Sequence, residues 1–166
     1  MKKIALGLFI LGLTAQINSQ TIELAETVIS VNYKYLNTTD SYFIPSHIKK
    51  LKDEVVNYNH KELSKLYDTE NEIYNVSFYI PEGKIVASYD SNGKIIKTFE
   101  KYNNVRLPLV VMQEISKRFP NWQIVEDVYL IKYQNEKDSL VQQYKIKIKN
   151  ADKILTVKTD ESGTFL

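Results

Sequence analysis

After residue 20 the chain reads as one unit written twice, 70 residues apart. Tyr74-Asn-Val-Ser-Phe-Tyr-Ile80 is answered by Tyr144-Lys-Ile-Lys-Ile-Lys149, and Tyr89-Asp-Ser-Asn-Gly93 by Thr159-Asp-Glu-Ser-Gly163. Tyr74 to Tyr144, Asp90 to Asp160 and Gly93 to Gly163 all share that offset. Upstream, Ile44-Pro45 and Leu107-Pro108 each open a helical stretch. The proline offset is 63, and Asn135-Glu-Lys-Asp-Ser139 is the place for the seven extra residues of the second copy. A duplication constrains architecture before any element is argued singly, because each half must bury its apolar face against something, most simply its twin.

Each copy is expected to hold a strand, a helix and about three further strands. Glu26–Leu36 reads as the first strand, since Val31, Tyr33 and Tyr35 alternate with Asn32 and Lys34. Ile48, Leu51 and Val55 then make the apolar stripe of a helix opened by Pro45 and ending near residues 57–59. His60–Glu72 reads as irregular or extended. Ile73–Ile80, Lys84–Asp90 and Lys94–Tyr102 follow as strands, with Pro81-Glu-Gly83 and Asp90-Ser-Asn-Gly93 as their turns. In the second copy Met112, Ile115 and Phe119 form the helical stripe, and Phe119-Pro120 stops it. Gln123–Gln134, Val141–Lys149 and Lys153–Asp160 read as three antiparallel strands. Tyr144, Ile146 and Ile148 alternate with Lys145, Lys147 and Lys149, so that strand has one core face and one wet face. The glycines beyond residue 20, at 83, 93 and 163, all fall in expected turns. The fold class is α+β: a tandem repeat with two helices on one face of a larger antiparallel sheet, the other face partly open. The boundaries are residues 1–20 for a leader and 21–166 for a single domain, its repeats spanning about 26–93 and 94–166.

Lys2 and Lys3, the apolar run Ile4–Leu13 and the small polar residues after it have the layout of a cleaved secretory signal. The run is too short to span a bilayer, which takes ~20 residues. No cysteine follows it, so a lipoprotein anchor is excluded. Periplasmic or secreted localisation is expected, with no transmembrane span after cleavage. The chain carries 22 basic and 20 acidic residues, and loss of Lys2 and Lys3 leaves 20 of each. Such a chain lacks the overall basic footprint of a nucleic-acid binder. The absence of cysteine excludes disulfides, thiol catalysis and Cys-ligated zinc. About 145 residues with 12 tyrosines and 6 phenylalanines suffice for an unaided core.

The residues Gly83–Ile96, Arg106-Leu-Pro108, Phe119-Pro-Asn-Trp122 and Val157–Gly163 resemble the PepSY-like, beta-lactamase-inhibitor-like exported proteins of Bacteroidota. The resemblance covers most of residues 26–166. Its motifs are turns and helix ends, so no functional residue carries over. It implies tandem helix-plus-sheet repeats and a binding or inhibitory role in the envelope.

No catalytic signature is present: there is no Gly-x-Ser-x-Gly elbow and no Gly-rich phosphate loop. His47 and His60 lie 13 residues apart, without the one-turn spacing of a helical metal pair, and read as solvated or core-margin residues. The Asp90 and Asp160 turns resemble the start of a calcium loop, but position 12 after Asp90 is Lys101, and turn chemistry explains both acids. No cofactor or metal is expected. Two candidate binding features remain. The row Lys145, Lys147 and Lys149 is an anion surface or the ordinary wet face of a sheet. Trp122, Tyr129 and Tyr133 are an aromatic platform for sugar or peptide, or core packing. The expectation is a non-enzymatic exported protein that inhibits or docks onto another envelope protein. The alternative is a small-ligand or metal scavenger using His47, His60 and nearby acids.

Overall fold

The predicted alternation of strands and turns is realised as a six-stranded antiparallel sheet whose strands lie in chain order. In the computed structural model, residues 25–40, 44–59 and 73–166 are described. They form α1 (Ala25–Thr39), α2 (Ser46–Val56), β1 (Tyr74–Ile80), β2 (Gly83–Tyr89), β3 (Ile95–Asn103), α3 (Leu109–Arg118), β4 (Gln123–Gln134), β5 (Ser139–Asn150) and β6 (Lys153–Thr159). The expected extended stretch 60–72 and the leader lie outside the described residues.

Prolines set both helix starts. Pro45 and Pro108 sit one residue before α2 and α3, with extended ψ near 151° and 143°. Their carbonyls accept the first helical bonds, Lys49 N at 3.1 Å and Met112 N at 3.2 Å. The fixed φ and missing N–H of proline are harmless there. The stripe Ile48, Leu51 and Val55 is fully buried, as is Ile115 of α3, joined by Val111. Met112 and Phe119 are partly buried at the core margin. Before Pro120, Phe119 leaves the helical region at φ −126° and ψ 73°, which ends α3.

Three expectations are corrected. Residues 26–36 are not a strand: they belong to α1, so among the described residues three helices pack against the sheet, not two. The buried positions are Asn32, Tyr35 and Thr39, at spacings of three and four, whereas Ile29 and Tyr33 are half exposed. The period of two in Val31, Tyr33 and Tyr35 misleads because the true apolar stripe contains polar members whose bonds lie elsewhere in the chain. Asn32 Nδ2 donates to Gly93 O at 3.0 Å and its Oδ1 accepts from Ile95 N at 2.8 Å, tying α1 to the β2–β3 turn. Replacing Asn32 by alanine would strand both backbone groups in the core. A loss of about 1–3 kcal/mol is expected, read as a lower urea midpoint at unchanged m-value.

The second correction concerns the repeat unit. The hairpins β1–β2 and β5–β6 do share one register. Tyr74 pairs with Tyr89 and Ile80 with Gly83, while Tyr144 pairs with Thr159 and Asn150 with Lys153, all offset by 70. The turns match as well. Asp90 Oδ1 accepts from Asn92 N and Lys94 N, and Asp160 Oδ1 from Ser162 N and Thr164 N, each at 2.9 Å. Gly93 and Gly163 stand at φ 85° and 86°. Upstream, among the described residues, two helices precede β1 whereas β3, α3 and β4 precede β5. Among the described residues a strand–helix–three-strand unit is therefore seen once, from β3 to β6.

Gly83 also has a different role from the one expected. It is not a turn residue with positive φ but the first residue of β2, paired with Ile80 and Tyr102.

Candidate functional site: the open face of the sheet

Successive strand residues point to opposite faces, so the buried set identifies the free one. Ile85, Ala87 and Tyr89, then Thr98, Glu100 and Tyr102, then Tyr129, Ile131 and Tyr133, then Tyr144, Ile146 and Ile148 face the helices. The intervening residues form the other face, which no described helix covers. There β2 contributes Lys84, β3 Lys97 and Lys101, β4 Lys132, β5 Lys145, Lys147 and Lys149, and β6 Lys158. Against these eight lysines the strands of this face set one acid, Glu126, directly opposite Lys147. The two are ion-paired, and the hydrogen bond from Lys147 holds the Glu126 carboxyl below its ordinary value. Among the described residues, no other lysine of this face has a carboxylate within ion-pair distance.

The face is not uniformly polar. A groove of about 480 Å³ crosses β2, β3, β4 and β5. Phe99 lies on its floor, 37% exposed, between Val86 and Val141. Lys97 and Lys132 also line it, and the Lys132 ammonium stands 6.0 Å from the Phe99 ring centroid, a cation–π distance. Ser88 Oγ donates to Asn75 Oδ1 at 2.6 Å along one wall. A smaller hollow of about 210 Å³ lies among Lys101, Glu126, Val128 and Lys145. This arrangement suits a partner that brings carboxylates or other anions around an apolar anchor. The lysines supply long-range attraction, and the Phe99 groove supplies area that leaves water.

The predicted site residues divide cleanly. Lys145, Lys147 and Lys149 lie on the open face as expected, the first and last exposed. The aromatic platform is corrected. Tyr129 and Tyr133 are 2% and 1% exposed on the helix side, and Trp122 packs edge-on against Phe119. Tyr129 stacks on Tyr144 at 4.5 Å and its hydroxyl donates to Glu161 Oε1 at 2.6 Å. Burial pushes both tyrosine hydroxyls upward in pKa. A large ring with its one polar atom bonded is a core residue, not a platform.

Phe99, Lys97 and Lys132 were not singled out from sequence. The signal was present in Lys97-Thr-Phe-Glu-Lys101, where two lysines flank an aromatic at alternate positions. Reading it required knowing that Thr98 and Glu100, not Phe99, face the core.

His47 Nε2 lies 3.8 Å from Glu82 Oε2, both half exposed, and His60 is outside the described residues. Among the described residues no group of three or more His, Cys, Asp or Glu side chains is placed to hold a metal ion. Among the same residues no helix is long and apolar enough to cross a membrane. No family model, no curated protein and no solved structure matches this chain.

Proposed function

We propose that this protein is an exported, non-enzymatic binding module that docks its open sheet face on an acidic surface of another envelope or secreted protein, as an inhibitor or docking partner. The observation that carries the reading is the segregation of charge. Basic and acidic residues balance beyond residue 20, yet eight lysines and one glutamate share this face. Random scatter of a balanced set would mix the signs, and ordinary solubility needs no such asymmetry. The exposed Phe99 groove gives the contact an apolar centre within a charged surround, the usual anatomy of a protein interface. The leader-like residues 1–20 and the resemblance to PepSY-like proteins support export and an envelope partner.

The test is capture from envelope extract of the native host by N-terminally tagged protein lacking residues 1–20, followed by titration against the purified partner. One stoichiometric partner is expected. Its affinity should fall at least tenfold in Lys97→Glu/Lys132→Glu, about 1.4 kcal/mol or more, with the melting temperature unchanged. The wild-type affinity should also weaken as salt is raised. A partner held equally well by the charge-reversed protein would overturn the reading.

A further inference from the structure

Two neighbouring rows of side chains on the open face differ in chemistry. The strand registers align Asn75, Ser88, Lys97, Gln134 and Ser139 across β1 to β5. Two residues further along each strand, they align Val86, Phe99, Lys132 and Val141 across β2 to β5. The groove of about 480 Å³ lies between these rows. It therefore has one polar wall and one wall that is apolar except for Lys132. A two-residue step sets the rows about 7 Å apart, and the three strand spacings from β2 to β5 give a length of roughly 14 Å.

These dimensions and this lining suit a small molecule with one anionic end. Small-molecule pockets run to about 300–1,000 Å³, apolar with a few convergent polar groups. Phe99 and Val141 are 37% and 48% exposed, so apolar area faces solvent along one wall. Among the described residues no acid lines the groove. Lys97 on β3 and Lys132 on β4 are diagonal neighbours, with Cβ atoms about 7–8 Å apart. Their flexible side chains can bring two ammoniums to one carboxylate from opposite walls. Among the described residues neither has a carboxylate of the protein within ion-pair distance. At the β1 end the Ser88 hydroxyl already donates to Asn75 Oδ1, so the preference for an anion centres on the lysines. A carboxylate held between them leaves its apolar body to run over Phe99 toward Val86.

We propose that the groove binds a small amphipathic carboxylate, its head between Lys97 and Lys132 and its flat apolar body on Phe99 and Val86. This site stands without the docking reading. Where both hold, ligand and partner exclude each other at Phe99, so the small molecule would regulate docking.

The probe is phenylbutyrate, with neutral phenylbutanol as its uncharged counterpart, each titrated into the purified protein alone. Amide NMR is expected to show shifts at Ser88, Lys97, Phe99 and Lys132. The wild type should bind the acid at least tenfold more tightly than the alcohol. Lys97→Gln/Lys132→Gln should reduce that preference to within twofold. Lys50→Gln/Lys117→Gln removes the same charge from α2 and α3 and should keep it. Phe99→Ser should weaken both ligands at least fivefold. Equal affinity of the wild type for acid and alcohol would overturn the proposal, as would shifts confined to residues outside the two rows. So would a tenfold preference that survives in Lys97→Gln/Lys132→Gln. Phenylbutyrate binding without a captured envelope partner would sink the docking reading and leave this site in place, and the converse result would do the reverse.

Discussion

Replacing Glu100 by leucine is expected to destabilise the protein by about 3–5 kcal/mol, because it leaves Lys52 charged and unpaired in the core. The Lys52 and Glu100 side chains are 1% and 0% exposed, with Nζ 3.2 Å from Oε2. Glu100 also accepts from Tyr35 OH at 2.9 Å and Tyr102 OH at 2.6 Å, and Lys52 donates to Thr39 O at 2.7 Å. The network joins α1, α2 and β3 through one carboxylate. Desolvation lowers the Lys52 pKa, and Glu100 opposes that shift. In Glu100→Leu that opposing charge is gone, and only the lesser pull of Asp40 and Glu161 is left against desolvation.

That sets the sign of the pH dependence. A lysine whose folded pKa lies below its unfolded value binds fewer protons when folded, so stability rises with pH between the two values. The variant should therefore recover part of its loss between about pH 7 and pH 9.5, more steeply than the wild type. Above that range the comparison is confounded, because burial raises the Tyr35 and Tyr102 hydroxyls and their ionisation favours unfolding. The double variant Lys52→Met/Glu100→Leu should regain stability over Glu100→Leu, though two tyrosine hydroxyls still lose their acceptor. Urea melts of the three proteins at both pH values check this. A single variant within 1 kcal/mol of the wild type would refute the burial of an obligatory pair.

The second large effect comes from one added methyl. Gly83→Ala is expected to cost about 3 kcal/mol, at the upper end for overpacking. A Cβ at Gly83 would stand 2.2 Å from Lys101 O and 2.9 Å from Tyr102 Cα, both backbone atoms of the facing strand. Neither can move without opening the β2–β3 ladder. Gly163→Ala is the informative control. Its Cβ meets nothing nearer than 3.1 Å, the first contact being the flexible Glu114 side chain, and its cost comes from φ +86°. The Gly83 variant should lose more in thermal unfolding and loosen amide protection across β2–β3, whereas the Gly163 loss should stay local to its turn.

Much of the sheet was legible because its signals are local. Asp90 and Asp160 bond the amides two and four residues on, and Gly93 and Gly163 take the left-handed conformation those turns require. Pro45, Pro108 and Pro120 mark helix ends through their own rings. The alternation of Tyr144, Ile146 and Ile148 with lysines states the two faces of β5 outright. Where the period failed, a polar residue sat in the core with a distant partner. Residues 26–36 looked extended because Asn32 and Thr39 did not look like core residues. The same inversion hid the groove, since Glu100 reads as an outward residue and Phe99 as an inward one.

The sequence by itself therefore determined the six strands, their turns and the helices after Pro45 and Pro108, all of which depend on neighbours within a few residues. Only the tertiary structure decided that α1 is a helix, that Tyr129 and Tyr133 are core, and that the lysines of five strands converge on one face around Phe99. The physical reason is that a buried polar group is stable only with its partner in place. Gly93 and Ile95 complete Asn32 from 61 and 63 residues away. Lys52 and Tyr35 complete Glu100 from α2 and α1, and by drawing it inward they turn Phe99 out to solvent.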